Sequence, residues 1–449
     1  MSVIKKLGVA TGTLFVLAQL VRPTIPAKPA TAEIQAPPAV KQILNKSCYS
    51  CHSDERRLAW FDQIEPGYLF VRHDILTARS HLNYSTLGSE PPAEQRARLF
   101  EAVNMIQLGA MPLPQFVALH PDERVSPEEL AGLKAYLAPW ATMPSLPGVK
   151  PKDDSAASLI SLSAVHPEPN GLAFDPSFEN WKLLSTTERG DNNTFRFILG
   201  NDVAVKAAEL GNISPWPDGT RFAKVAWQQE LGEDGLIHPG KFVQVELMAK
   251  EARRYKNTDG WGWGRWRGLD LKPYGEDARF VNECTGCHMP VRSNDYVYTL
   301  PITSAHANRE EVVNNAAASL SANLPWRPLA WRALTMCVDP KTHRMATLYG
   351  NDTSIQVRER EGTVAPRLPY PSGSVLALVT WAQRDDPHWF GGRIPDTPKM
   401  VEYVQISSGR GADVYRVFEG RTLVETHPDA GDTARRTRFI LNLMPASLP

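Results

Sequence analysis

The chain has no net charge: 49 basic residues balance 49 acidic ones, so nothing marks nucleic acid or an anionic surface as its partner. Beyond the first thirty residues it lacks any apolar run that could cross a membrane. Cysteine and histidine are scarce, at 5 and 11 among 449 residues. Four of the five cysteines fall in two short strings, Cys48-Tyr49-Ser50-Cys51-His52 and Cys284-Thr285-Gly286-Cys287-His288. Each has the C-x-x-C-H pattern of covalent haem attachment: two thiols one helical turn apart form thioethers to the haem vinyl groups, and the adjoining histidine lies beneath the iron. The direct reading is two haem c groups, one on Cys48, Cys51 and His52 and one on Cys284, Cys287 and His288.

Two rival readings stay open. The four sulfurs could surround a single structural zinc, or either pair could form a disulfide or a thioredoxin-like redox motif. Neither explains the histidines. With so little histidine, finding one directly behind both pairs by accident has odds on the order of one in a thousand.

The first residues run from Lys5-Lys6 through a mostly apolar stretch, Leu7 to Val21, to a Pro/Ala segment ending Ala30-Thr31-Ala32, the layout of a secretory signal. The apolar stretch is short for a bilayer core, which favours cleavage; Arg22 directly behind it favours a retained membrane anchor. Either way the body of the chain is expected in the periplasm. Prolines and charges crowd near Pro144 to Asp154, and an alanine-rich polar connector covers Ala305 to Leu324. These seams give residues 1–32 as signal or anchor, 33–145 as a helical haem domain, 146–170 as linker, 171–303 as a second haem domain, 304–326 as linker and 327–449 as a third domain.

The first block reads as all-α and cytochrome c-like. Ser126-Pro127-Glu128-Glu129 is a helix start, with serine as cap and glutamate at the third position. The proline-stiffened loop Gly109-Ala110-Met111-Pro112-Leu113-Pro114 makes Met111 the first choice for the sixth iron ligand. His81 is the strongest rival, ahead of His73 and His120. On the strength of Lys46 to Ser53, His81-Leu82-Asn83-Tyr84-Ser85 and Met111 to Pro114, the block resembles a family of small bacterial haem-binding domains.

Residues Asn180 to Pro301 alternate apolar and polar positions, as in Thr194 to Leu199, Arg221 to Trp227 and Phe242 to Met248, and predict an antiparallel sheet. Three stretches carry a more specific likeness: Trp216-Pro217-Asp218-Gly219-Thr220-Arg221-Phe222-Ala223-Lys224, Met248 to Glu251, and Cys284 to His288 followed by Asp295 to Thr299. Together they resemble the cytochrome P-460 family and its cytochrome c′-beta relatives. The resemblance implies a mainly-β domain with one haem near its C-terminal end and an open distal side on the iron. In the P-460 members proper a lysine is cross-linked to the porphyrin and the haem oxidises hydroxylamine; its position here is Lys224. A strand places Lys224 on the face of Phe222 and Ala226, opposite Ala223, Val225 and Trp227. The run Trp261 to Trp266 reads as aromatic core or haem-edge packing, with glycines allowing close approach.

Trp181 to Asp202 aligns without gaps onto Trp331 to Asp352, and Pro217 to Thr220 finds an echo in Pro371 to Ser374. The expected fold is therefore an α+β multidomain chain: the helical haem domain, then two tandem mainly-β P-460-like domains, the second without haem. In that register Lys224 becomes Leu378, Arg196 becomes Ala346 and Cys337 faces Thr187, with Val404 a loose counterpart of Glu246. Losses in the second copy mark Arg196, Lys224 and Glu246 as pocket residues: a carboxylate to take protons from an N–H or O–H substrate, and an arginine to hold negative charge on a bound nitrogen oxide. The expected function is a periplasmic dihaem cytochrome that oxidises hydroxylamine, or a similar small nitrogen compound, at the second haem. The first haem then passes electrons to a redox partner such as a soluble cytochrome. The alternatives are a non-catalytic cytochrome binding nitric oxide or another gas, and plain electron transfer.

Overall fold

The computed structural model describes residues 3–141, 162–303, 314–355, 370–407 and 412–448. The seam at Pro144 to Asp154 and residues 305–313 of the second seam lie outside them. The chain divides into two compact units, Met1–Pro139 and Trp140–Pro449.

The first unit is helical: α1 (Val3–Ala18), α2 (Pro38–Ser47), α3 (Tyr49–His52), α4 (Gly67–His81), α5 (Pro92–Gln107), α6 (Pro114–Leu119) and α7 (Pro127–Ala141). No described helix is long and apolar enough to cross a membrane. The helix start read at Ser126 is a reciprocal cap: Glu129 N donates to Ser126 Oγ at 3.2 Å and Ser126 N to Glu129 Oε2 at 2.8 Å. Lys46 of α2 pairs with the same Glu129 at 2.6 Å, which ties α7 to the helix leading into the first haem string.

The second unit is built on antiparallel strands. Its first half contains β1 (Lys182–Arg189), β2 (Thr194–Gly200), β3 (Arg221–Leu231), β4 (Ile237–Lys250), β5 (Trp261–Arg267) and β6 (Lys272–Pro273), with helices α8 (Asp202–Leu210) and α9 (Val281–His288). Its second half contains β7 (Arg332–Asp339), β8 (Arg344–Gly350), β9 (Val375–Asp386), β10 (Trp389–Gln405), β11 (Val414–Glu419) and β12 (Val424–Thr426), and ends in α10 (Ala430–Asn442). Strands β1-β2-β3-β4 and β7-β8-β9-β10 form a closed ring, because β4 pairs with β7 and β1 with β10. Closure is narrow: a single residue pair joins β4 to β7, and two join β1 to β10.

The two halves share one register. Thr187 lies opposite Arg196 as Cys337 lies opposite Ala346, and Ile198 opposite Lys224 as Leu348 opposite Leu378. Both β1 and β7 carry a bulge at equivalent leucines, Leu184 and Leu334. The two ring-closing contacts are reciprocal, Ile237 with Val338 on one side and Glu188 with Arg393 on the other. Ring-facing residues of both halves, among them Phe195, Val225, Trp227, Met345, Val379 and Trp381, form a single hydrophobic core. Each fully buried aromatic there contributes roughly 2–3 kcal/mol. Trp227 Nε1 donates to the carbonyl of Ser447 at 2.6 Å and Trp381 Nε1 to that of Ala318 at 2.9 Å, so the aromatic anchors also satisfy their polar atoms.

The repeated Gly-Asn-Asp has a structural cause. Asn201 Oδ1 accepts from Ala204 N at 3.0 Å and Arg221 N at 3.1 Å while its Nδ2 donates to Gly219 O at 2.8 Å. Asn351 makes the equivalent set with Ser354, Val375 and Gly373. One side chain thus caps a helix and pins the next strand. Asn201→Ala is expected to lower the unfolding free energy by about 2 kcal/mol, and Asn351→Ala by a similar amount, both read as lower denaturant midpoints.

Candidate functional site

Helix α9 carries Cys284, Cys287 and His288. The His288 Nδ1–H donates to the Tyr296 carbonyl at 2.6 Å, which fixes the tautomer and leaves Nε2 as the ligating nitrogen. Burial pushes the imidazole pKa down to about 4, keeping the ring neutral. Two successive non-glycine residues, Asp295 (φ 49°) and Tyr296 (φ 66°), adopt left-handed backbone to present that carbonyl. The turn is held by the Asp295 carboxylate, which accepts from Lys250 Nζ at 2.7 Å, Trp216 N at 2.8 Å and Trp261 Nε1 at 3.2 Å. Trp263 packs against His288 with ring centroids 4.5 Å apart.

Strands β3, β4 and β5 bring the charged residues to the same place. Alternation puts Ala223, Val225 and Trp227 into the shared core, and Phe222 on the other face with Trp261, Trp263 and Cys284. Lys224 lies on the Phe222 face, as the period of two requires. Lys224 stands opposite Glu246 and Glu246 opposite Arg265 on neighbouring strands. Lys224 Nζ lies 2.6 Å and Arg265 Nε 3.3 Å from the Glu246 carboxylate, and Gln244 Nε2 donates to it as well. Arg196 on β2 sits diagonally from Lys224, two residues from its partner Ile198.

The three residues singled out in the sequence, Arg196, Lys224 and Glu246, are therefore brought together. Burial pushes the Lys224 ammonium down to about 8 against the pull of Glu246, though 27% of the side chain stays exposed. Burial likewise brings Arg196 down to about 10. Against burial, which opposes its charge, Lys224 and Arg265 hold Glu246 well below the usual carboxylate range. The sequence reads the run around Arg265 as aromatic core or haem-edge packing and does not single out the arginine; a charged residue inside a buried Trp/Gly run is the available signal.

The second half corrects one expectation. The pairing of Leu378 with Glu402 matches that of Lys224 with Glu246, so the counterpart of Glu246 is Glu402 and not Val404. The carboxylate is kept, and its partners change: Arg436 Nη2 of α10 lies 2.6 Å from it and Tyr415 Oη donates at 2.7 Å. Leu378, Ala346 and Val417 stand where Lys224, Arg196 and Arg265 stand in the first half. Ile440 and Leu443 pack against that apolar face with Leu334 and Leu376. Cys337 is buried among them, its thiol pushed up to about 12 by desolvation.

In the helical unit, Cys48 precedes α3 and Cys51 and His52 lie on it. The His52 Nδ1–H donates to the Leu82 carbonyl at 2.9 Å, and burial lowers the imidazole pKa. The segment His81 to Ser85 is a clamp on the haem string: Tyr84 N donates to His52 O at 2.8 Å, Asp54 N to Ser85 Oγ at 2.9 Å and Asn83 Nδ2 to Asp54 Oδ1 at 2.9 Å. Met111 is half-buried in the turn between α5 and α6, its N donating to Met105 O at 3.1 Å. His120 has both ring nitrogens engaged, with Asp62 Oδ2 and Phe116 O at 3.1 Å each; His73 and His81 are exposed.

The residues present fit haem. Each histidine is neutral with one nitrogen held by a carbonyl, an arrangement that neither a disulfide nor a four-sulfur zinc requires. The buried Arg196 Nε and Trp263 Nε1 have no hydrogen-bond partner among the described residues, donors suited to a polar group brought in by a ligand. Glu246→Gln, which leaves three cations facing a neutral amide, is expected to cost about 3 kcal/mol of stability; a fall in denaturation midpoint, compared with that of Gln244→Ala, reads it.

No curated protein matches the chain. Residues 13–139 match the family model described as a haem-binding domain. Residues 176–299 match the model described as Cytochrome P460, and the chain is a haem cytochrome with a Cytochrome P460 segment behind a haem-binding domain.

Proposed function

We propose that the protein is a periplasmic dihaem cytochrome, released or anchored by its N-terminal segment, that oxidises hydroxylamine or a similarly small nitrogen compound. Cys284, Cys287 and His288 would hold one haem covalently and Cys48, Cys51 and His52 a second, with Met111 the candidate for its remaining ligand; bound there, the groups would supply an electron acceptor and a relay to a redox partner such as a soluble cytochrome. The observation that carries the reading is the row Lys224–Glu246–Arg265, with Arg196 beside it, on the face that receives Cys284. Glu246, kept ionised by its two cations, accepts the proton that leaves an N–H or O–H as the substrate is oxidised. Arg196 holds the negative charge of the nitrogen oxide formed.

The second half supports a division of labour. We read it as a P-460-like copy without haem: it has the strand register of the first half, no C-x-x-C-H, and leucine, alanine and valine in place of the three cations. The limits 171–303 and 327–449 are part of this reading, and the register shared by the two halves supports them.

A second reading draws on the Lys224–Glu246 ion pair. In it Lys224 keeps its partner Glu246, 2.6 Å away, and makes no bond to a porphyrin carbon, and a protein without that cross-link resembles a nitric-oxide-binding cytochrome c′-beta.

The test is reduction of a soluble acceptor by purified protein with hydroxylamine, alongside mass spectrometry of the Lys224 peptide. Hydroxylamine-dependent turnover, lowered at least tenfold in Glu246→Gln, is expected. Absence of turnover, with nitric oxide still binding and Lys224 unmodified, selects the second reading.

A further inference from the structure

We propose that the turn joining β9 to β10, Asp386 to Trp389, is a part of the haem site in the first half: it positions Tyr298, and through Tyr298 the His288 imidazole. The inference rests on the reading of His288 as a haem ligand. It gives the haem-free half a role that its own chemistry does not.

Tyr298 is the junction. Its ring meets the His288 ring edge-on with centroids 5.1 Å apart, and its hydroxyl donates to the carbonyl of Cys287 at 2.6 Å. One tyrosine thus touches both the proximal imidazole and the backbone of the attachment string. From the other side, the His388 Nδ1–H donates to the Tyr298 carbonyl at 2.7 Å, and Trp389 packs edge-on to the Tyr298 ring at 5.7 Å. His388 is only 7% exposed, and its own backbone N donates to Asp386 Oδ1 at 2.9 Å, which stiffens the turn.

Trp389 is in turn gripped by the first half. The Arg189 guanidinium lies 4.1 Å from its ring centroid, and its Nε1 donates to Asp191 Oδ2 at 3.4 Å. Arg189 and Asp191 pair with each other, and Arg189 stands opposite Gly392 where β1 meets β10. The ring-closing strand contact therefore delivers the turn to the haem helix. The orientation of a ligating imidazole, and so the strength of its bond to iron, is set by the groups that hold the ring from behind. Here one of those groups is fixed by residues about ninety positions further along the chain.

The experiment uses the full-length haem-loaded protein and three variants: His388→Phe, which removes the donor; His388→Asn, which can return an N–H near the Nδ1 position; and Tyr298→Phe, which keeps the ring and removes its bond to Cys287. The readouts are the iron–imidazole stretching band of the reduced five-coordinate haem and its midpoint potential, with thermal melting run in parallel. We expect both readouts to shift in His388→Phe and Tyr298→Phe, and to return toward the parent in His388→Asn. Unchanged band and potential in folded His388→Phe and Tyr298→Phe would overturn the inference. So would equal shifts in His388→Asn and His388→Phe, the signature of packing alone. If the parent protein carries no haem on Cys284 and Cys287, the functional reading fails first; haem present with no shift removes the inference only.

Discussion

A backbone carbonyl behind each haem-string histidine is the constraint on which the rest depends. Tyr296 O fixes His288 and Leu82 O fixes His52, and in both cases burial keeps the ring neutral. A neutral imidazole with its Nδ1–H committed has one nitrogen left, and that nitrogen is suited to a metal. The two units reach this result by different means. In the helical unit an Asn-Tyr-Ser segment folds back on the attachment string. In the stranded unit two left-handed residues turn the carbonyl inward, and a half-buried aspartate bound by Lys250 and two tryptophans holds them there.

The second half of the stranded unit shows how the same glutamate position is served when its cationic neighbours change. Keeping Glu402 while losing the cations would leave a bare buried carboxylate, at a cost of several kcal/mol. The fold avoids this by sending Arg436 from the C-terminal helix and Tyr415 from β11 to the same oxygens. Conservation of that glutamate between halves therefore does not separate fold from chemistry; the partners do. Lys224 and Arg265 leave Glu246 on a face that receives Cys284, while Arg436 closes Glu402 into a packed interior beside Ile440 and Leu443.

Much of this was legible in the sequence because it depends on local spacing. The haem strings, the strand face of Lys224 and the gapless stretch from Trp181 to Asp202 are properties of residues close together, and the structure places them as the spacing requires. What was not legible depends on pairing between distant strands. Arg265 reads as one residue in a tryptophan run until β5 is laid beside β4. Glu402 was missed because β10 carries irregularities between Trp389 and Met400, which shift the count relative to β4. The clasp of His388 and Trp389 on Tyr298 comes from a turn in the other half, and no local pattern announces it.

The central claim is that both C-x-x-C-H strings hold haem through their thiols. It is tested most directly by extracting mature protein with acidified acetone, which strips non-covalent haem, and counting what remains per chain by pyridine haemochrome and iron analysis. The account predicts two equivalents of each, retained on the Cys48/Cys51 and Cys284/Cys287 peptides. One equivalent or none, or zinc in place of iron, would contradict it.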